Sequence, residues 1–327
     1  MRDTRSARIL ALLALADEVP EADELAEFLT DPEPDVRRTA LTVLSEATED
    51  WANGSTQVAT ALLDPDASVR RTGVELLAEL REVLVADEEF TAVLRRAGQH
   101  ADAGVRAAAV GALWRHHRIA GEEAERHLAD SDPVVRAEAV RALVSLRALC
   151  SAHLYATGPV AYECAEQRAT PLDTAAADPS AQVRIAVASG LGTLGDPRGA
   201  SALTELATDP DTAVAVAAFT ALAETGCSPP AAALATEALR HRDWPVREAA
   251  AKALAAAPAE LAATPLTAAT GDENLDVRKA AVRSLGHLAP DHPGVTGALH
   301  AATDDPDADV RAYARQALLR YPQPTER

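Results

Sequence analysis

Apolar residues recur along the chain at fixed distances from a valine that itself returns about every 32 residues. With that valine as position 0, a small residue stands at +4 and a leucine at +8, as Ala40 and Leu44 follow Val36. Residues four positions apart lie on one face of a helix, so the three form an apolar stripe. An apolar residue at −11, such as Leu25, marks a shorter helix upstream. Each unit is therefore predicted to be an antiparallel pair of helices.

The unit occurs nine times, and an arginine usually follows the valine. The nine valines are Val36, Val69, Val105, Val135, Val183, Val214, Val246, Val277 and Val310. An aspartate often stands at −5 with a proline after it, which ends one helix and opens a turn because proline cannot continue a helix. One helix pair cannot bury its apolar face alone, so the pairs must stack. The pattern predicts an all-α chain: an α-solenoid, or superhelix, of about nine to ten helix-pair repeats.

This pattern resembles the HEAT-repeat family, and most closely the short HEAT-like repeats of phycobilisome lyases. The resemblance extends over nearly all of residues 1–327, which are predicted to form a single array. Residues 3–17 carry Ala7, Ala11 and Leu15 at the 0, +4 and +8 places and are predicted to form an N-terminal capping helix. Residues 322–327 are predicted to be a frayed tail.

The recurring Asp and Arg have a structural interpretation under this resemblance. In HEAT-type arrays the arginine after the valine commonly bonds to the turn aspartate of a neighbouring repeat. The resemblance therefore implies an internal ladder of Arg–Asp pairs. Function is expected where the repeats differ from one another.

The main difference is an insertion at 149–170, between the fourth and fifth repeats, where two valines are 48 residues apart. Gly158 and Pro159 predict that a lengthened helix ends near Thr157 and that an extra helix follows. The insertion and the end of that helix supply five candidate binding residues: Cys150, His153, Tyr155, Tyr162 and Cys164.

A metal is one interpretation of these residues. Cys150 and His153 share a helix face, and Cys164 could join them across the turn, but no fourth ligand is apparent. The alternative is that both cysteines are buried and pack an extra helix. We predict no metal and no cofactor.

A second set of candidates ends the second helix of the third repeat. It consists of Trp114, Arg115, His116, His117 and Arg118. Second helices line the concave face in the HEAT family, so the resemblance implies that these side chains face the groove. The alternative is that the cations stabilise a helix C-terminus and that Trp114 packs.

Charge narrows the choice of partner. The 327 residues carry 31 Lys+Arg against 50 Asp+Glu, a net charge of −19, which disfavours nucleic acid and favours a protein partner with a basic surface or peptide. A GC-rich coding bias and adaptation to high salt both fit the composition. No apolar run is long enough to span a membrane. Three cysteines, an odd number, favour a reducing cytoplasm.

The predicted function is a protein-interaction scaffold, or adaptor, that binds its partner along the concave groove. No P-loop, nucleophile elbow, His-Glu-x-x-His motif or dinucleotide fingerprint is present, and the His-Glu pairs of iron-binding HEAT-type hydroxylases are missing. Two further functions stay open, and no catalytic residue is assigned in either. One is an enzyme, or a protein that binds a metal or small molecule, with a central site around residues 114–164. The other is a HEAT-like DNA-base glycosylase, to which Trp114, Arg115 and Arg118 point.

Overall fold

A computed structural model describes residues 2–49, 51–153, 170–288 and 294–320, and within these ranges the chain forms helices and turns without a strand. We number the nineteen helices of these ranges α1 to α19. The chain divides into two compact units, Met1–Thr157 and Gly158–Arg327.

The first unit contains α1 and four helix pairs, which we call repeats 1 to 4. Its helices are α1 Arg2–Ala16, α2 Ala26–Leu29, α3 Pro34–Ala47, α4 Trp51–Ala61, α5 Ala67–Glu79, α6 Glu88–Ala97, α7 Ala103–Arg115, α8 Gly121–His127 and α9 Pro133–His153. The long α9 reaches into the predicted insertion. Residues 154–169, which include the expected helix end near Thr157 and the extra helix, lie outside the described residues, as does the tail 322–327.

The second unit contains five helix pairs, repeats 5 to 9. Its helices are α10 Thr170–Ala176, α11 Ala181–Leu194, α12 Ala200–Leu206, α13 Thr212–Thr225, α14 Pro229–Ala238, α15 Trp244–Leu254, α16 Ala259–Ala269, α17 Leu275–Leu285, α18 Val295–Ala302 and α19 Ala308–Leu318. A short 3-10 turn, Pro197–Gly199, leads into α12.

The predicted apolar stripe is the core of both units. All nine valines at position 0 are buried, as are all residues at +4 and −11 and every leucine at +8 except Leu143, which is half-buried. Burying an aliphatic side chain contributes about 1.5–3 kcal/mol. The small residue at +4 is required where helices approach closely, because a Cβ at Gly73 would lie 2.9 Å from the Cβ of Ala61.

The recurring charges form the ladder that the resemblance implies. Arg37 binds both carboxylate oxygens of Asp64 in the next repeat, through Nε and Nη2, at 2.7 Å each. Its Nη1 also donates to the carbonyl oxygens of Asp31 and Pro32 in its own turn, at 2.6 and 3.2 Å. The same two-pronged pair joins Arg106 to Asp130, Arg184 to Asp209, Arg247 to Asp272 and Arg278 to Asp305. These charges therefore hold neighbouring repeats together.

The first helix joins this ladder. Arg8 of α1 stands one residue after Ala7, and its Nη1 lies 2.8 Å from Oδ2 of Asp31 in repeat 1. Helix α1 thus presents the same arginine to the following turn as the second helices do.

Each turn aspartate also helps to form the start of the second helix that follows it. Oδ1 of Asp64 accepts the backbone N–H of Asp66, and Oδ1 of Asp66 accepts the N–H of Ser68 at the start of α5. Both bonds satisfy N–H groups that a helix start would leave unpaired. In the ranges described, we find no helix that is both long and apolar enough to span a bilayer.

Candidate functional site

Trp114 and Arg115 come together at the end of α7. Trp114 occupies position +9, where most second helices carry a small residue, and the guanidinium carbon of Arg115 lies 5.4 Å from its ring centroid. A Cβ at Gly111 would lie 2.8 Å from Nη2 of Arg115, so the glycine makes room for the guanidinium. Burial lowers the pKa of Arg115, and this is opposed by the charge of Glu138 on α9. The pair is a cation on an aromatic face, and it is half-buried.

Glu138 satisfies the polar groups of this cluster. Its Oε2 accepts the indole N–H of Trp114 at 2.7 Å, and its Oε1 accepts Nη1 of Arg141 at 2.8 Å. Both carboxylate oxygens are therefore engaged, and the indole N–H of Trp114 has its acceptor within the protein.

The other three candidates from this helix end have different neighbours. His116 packs edge-on against Phe90 of α6, with ring centroids 5.7 Å apart, and burial lowers its pKa. His117 is exposed and has a left-handed backbone, φ 56°. The guanidinium of Arg118 donates to the carbonyl oxygen of Ala86 in the loop before α6. The five candidates therefore do not share one pocket.

The insertion candidates stay predictions. Cys150 and His153 belong to the last turns of α9, but their side chains lie outside what the structure describes, as do Tyr155, Tyr162 and Cys164 altogether. Among the described side chains, no three His, Cys, Asp or Glu residues are grouped so that they could hold a metal ion. The third cysteine, Cys227, is a buried free thiol, and burial raises its pKa to about 11.

An outward row on the second helices was not singled out by the sequence. Positions +6 and +10 point away from the buried stripe, and we call this row the second-helix ridge. In the first unit its charged members are Glu46, Glu75, Glu79, Arg115 and Arg141; in the second they are Glu224, Lys252, Arg283, His287 and Arg320. All of these except Arg115 are exposed. The signal was available in the sequence, since these positions change charge from repeat to repeat while the buried stripe stays apolar.

The ladder is interrupted at two places in the described chain. Between repeats 2 and 3 the turn aspartate is replaced by His100, and Nε of Arg70 is buried without a hydrogen-bond partner among the described residues. Between repeats 6 and 7 both members are replaced, the arginine by Ala215 and the aspartate by His241. A cleft of about 620 Å³ opens at this second place, lined by Ala215 and His241 among others.

The similarity of the chain to known proteins lies in its repeats and in its fold. No curated protein sequence matches the chain. A sequence profile described as HEAT repeats matches residues 169–255 and 231–319.

Solved structures share the fold. The crystal structure of an engineered protein is 20% identical with a TM-score of 0.56, covering 90% of this chain and 87% of that one. Kap95 in its complex with Nup1 is 15% identical with a TM-score of 0.59, covering 96% of this chain and 49% of that one. Importin beta is 18% identical with a TM-score of 0.52, covering 91% of this chain and 40% of that one.

The chain thus spans about half the length of Kap95 and less than half the length of importin beta. At these sequence identities the likeness concerns the fold alone. It agrees with the α-solenoid that the sequence predicts. The resemblance to the phycobilisome-lyase subtype is not confirmed. The profile match identifies HEAT repeats in residues 169–319, and the helix pairs of the described ranges and the shared fold show the same α-solenoid architecture in both units.

Proposed function

We propose that the protein is a scaffold that binds a protein partner along the second-helix ridge. The observation that carries this proposal is the contrast between two sets of positions. Valines at 0 and residues at +4 are the same or similar in every repeat and are buried, whereas most ridge positions are exposed and they differ in charge. Positions that array packing does not constrain are available for recognition.

In repeats 1 and 2 of the first unit the ridge is acidic and suits a basic surface or peptide. Glu46 and Glu79 stand in the last turns of α3 and α5, and Glu75 lies one turn before Glu79. A carboxylate at a helix C-terminus is electrostatically unfavourable, so helix stability does not account for these residues. Their charge supports a basic partner, as the net charge of −19 does.

In the second unit the ridge has the opposite charge. Lys252, Arg283, His287 and Arg320 lie on three successive repeats, and Arg283 stands 5.4 Å from the ring centroid of Tyr313. Cations do suit helix C-terminal ends, but Glu224 occupies the same register, so the helix end does not dictate the charge. We infer that this unit contacts an acidic stretch of a partner.

A protein partner is better supported than an enzymatic site or a DNA substrate. The Kap95 structure holds a protein, Nup1. Among the described residues, nothing favours the enzyme or the DNA glycosylase, because the indole N–H of Trp114 and the guanidinium of Arg118 are bonded within the protein. A cytoplasmic setting fits the free thiol of Cys227.

The test is affinity capture with charge-reversed ridges. One variant carries Glu75→Lys and Glu79→Lys, and a second carries Arg283→Glu and Arg320→Glu. A matched control carries Glu89→Lys and Glu125→Lys, which are exposed on first helices. A partner captured by the wild type and the control is expected to bind at least one ridge variant about tenfold more weakly at 0.15 M salt. Equal dissociation constants for all four proteins would refute the ridge as the binding surface.

A further inference from the structure

One guanidinium position recurs in the turns of eight of the nine repeats. In eight repeats Nη1 of the arginine at +1 donates to the carbonyl oxygens at −5 and −4, at 2.6–3.1 Å and 2.9–3.3 Å respectively. Repeat 6 has Ala215 at this place. The carbonyl oxygens of Asp209 and Pro210, which correspond to −5 and −4, accept no hydrogen bond from any residue in the described ranges.

We call each Arg–Asp pair between neighbouring repeats a rung. The following repeat, repeat 7, has lost the aspartate of this rung. His241 stands where Asp272 and Asp305 stand in later repeats. Its Nδ1 accepts the backbone N–H of Asp243 at 3.0 Å, which preserves the helix-starting bond of the turn. The ring thus replaces the aspartate as a cap but brings no negative charge to meet a cation.

A cleft of about 620 Å³ occupies this place, and we call it the Ala215 cleft. Three residues that line it, Asp209, Pro210 and His241, are at the positions that contact the guanidinium in an intact Arg–Asp pair. Ala215, which also lines it, stands where the arginine itself would be. Phe219, Leu234 and Val246 give it an apolar wall, and Glu237 and Arg240 are the exposed charges at the cleft. These groups are the ones that an arginine side chain requires, namely acceptors for the N–H groups of its guanidinium and an apolar surface for its aliphatic stem.

One carboxylate at the cleft, that of Glu237, is left to meet a cation. Asp209 is bonded to Arg184 of the preceding repeat, at 2.6 and 2.9 Å, and that hydrogen bond holds its pKa below the usual value, so it stays charged. Glu237 forms no ion pair with any described residue. A guanidinium that enters can donate to the two carbonyl oxygens and pair with Glu237.

We propose that the Ala215 cleft binds the guanidinium group of an arginine supplied from outside the chain. The source is an arginine side chain of the protein partner, so this inference rests on the proposed scaffold function and deepens it. A free small guanidinium compound has the same chemistry, and the experiment separates the two sources.

The site is tested first with small probes on the full chain. The methyl resonances of Val246 and Leu234 are followed by NMR during titration with Nα-acetyl-arginine methylamide. The expected result is a saturable shift in the millimolar range, with the neutral citrulline analogue binding at least tenfold more weakly. Equal binding of the two analogues, or no saturable shift, would overturn the proposal.

Three variants make this test specific. Ala215→Arg supplies the guanidinium from within and should weaken probe binding more than tenfold; Ala215→Leu fills the cleft and should do the same if the arginine variant fails to fold. Arg240→Ala removes a like charge at the cleft and should tighten binding, and a loss of binding there would contradict the proposed contacts. Arg247→Ala creates the same gap one repeat later while keeping Asp272, so it should gain a second probe site.

The source is then tested with the captured partner. If a partner arginine enters the cleft, Ala215→Arg raises the partner's dissociation constant at least tenfold. If the partner binds Ala215→Arg as well as wild type, a partner arginine in the cleft is excluded and the proposed source is overturned; probe binding alone would then leave a free guanidinium compound as the remaining source. The ridge variants report on the scaffold function separately, so failure of the cleft and failure of the ridge give different results.

Discussion

Arg70 buries a guanidinium nitrogen, Nε, that has no hydrogen-bond partner among the described residues, because His100 stands where other turns have aspartate. His100→Asp should complete this rung and keep the cap, since Oδ1 of an aspartate also accepts the N–H two residues on. We expect the free energy of unfolding to rise by about 1–3 kcal/mol, as for charge-assisted hydrogen bonds. Urea denaturation measures it. His100→Asn, which keeps the bond from the N–H of Asp102 without adding a charge, should leave the stability nearly unchanged.

His117 adopts a left-handed backbone directly after α7, while the N–H of Arg118 bonds to the carbonyl oxygen of Leu113 at 2.8 Å. Helices commonly end in this way with glycine, which has no Cβ to clash. His117→Gly should therefore raise the free energy of unfolding by about 1 kcal/mol, seen as a higher Tm. A lower Tm would mean that the imidazole makes contacts beyond its role in the turn.

The Cys227 thiol should be inert in the folded protein. Burial raises its pKa to about 11, and the reactive species is the thiolate. In a Cys150→Ser, Cys164→Ser background, a disulfide reagent at pH 8 should label Cys227 only as the chain unfolds in urea. Fast labelling of the folded variant would show that the thiol is accessible.

At the scale of the helix pair, an intact Arg–Asp pair between repeats should contribute far more to the free energy of unfolding than the hydrogen bonds within one turn. The side chains of Arg106 and Asp130 are only 13% and 12% exposed, so Arg106→Ala leaves a partly desolvated carboxylate without its cation. The expected cost is about 3–5 kcal/mol. Arg311, which in the described chain bonds only to two carbonyl oxygens of its own turn, is the matched control. Arg311→Ala should cost about 1–2 kcal/mol, and equal losses in urea denaturation would contradict the ladder's role.

The helix pairs were predictable because the same spacing of apolar residues recurs nine times along the sequence. Val36, Ala40 and Leu44 belong to one buried stripe, as the four-residue spacing indicates, and the same holds in the other repeats with the exception of Leu143. The Arg37–Asp64 bond followed from the family resemblance. The N-cap at −3, such as Asp66, was missed although it recurs.

The candidate cluster at the end of α7 was harder to predict. Periodicity gives the face of a residue inside a helix, but the left-handed turn at His117 redirects the chain. His116 therefore meets Phe90 and Arg118 meets Ala86, while Trp114 stays on the helix face and meets Glu138. The cleft at Ala215 could not be predicted, because its prediction requires distances between repeats, which a single sequence does not contain.

For the whole molecule, stability should fall with acid in two steps. Burial lowers the pKa values of His116 and His127 below 6.5, so the unfolded chain takes up protons first and stability declines as the pH falls below about 6.5. Hydrogen bonds from Arg106 and Arg184 lower the pKa values of Asp130 and Asp209 below 3.8, so their contribution is complete above that value. It is lost as the pH falls through the lowered values.

Unfolding in urea between pH 8 and pH 3 checks this profile. A variant with His116→Gln and His127→Gln should lose the upper step and keep the lower one. A wild-type stability that is flat between pH 7 and pH 5 would contradict the burial of the two imidazoles.

The ladder also bears on how such a chain can evolve. Each arginine of the Arg–Asp pairs reaches forward to the next turn, so deletion or duplication of a whole turn-to-turn unit between such pairs rejoins an arginine with an equivalent aspartate. An array built in this way can change its length by recombination without inventing an interface. The exceptions restrict that freedom: a repeat with a turn aspartate placed after repeat 6 would meet Ala215 in place of an arginine, and repeat 7 placed after another repeat would present His241 to its arginine. Recombination that keeps repeats 6 and 7 together avoids both mismatches.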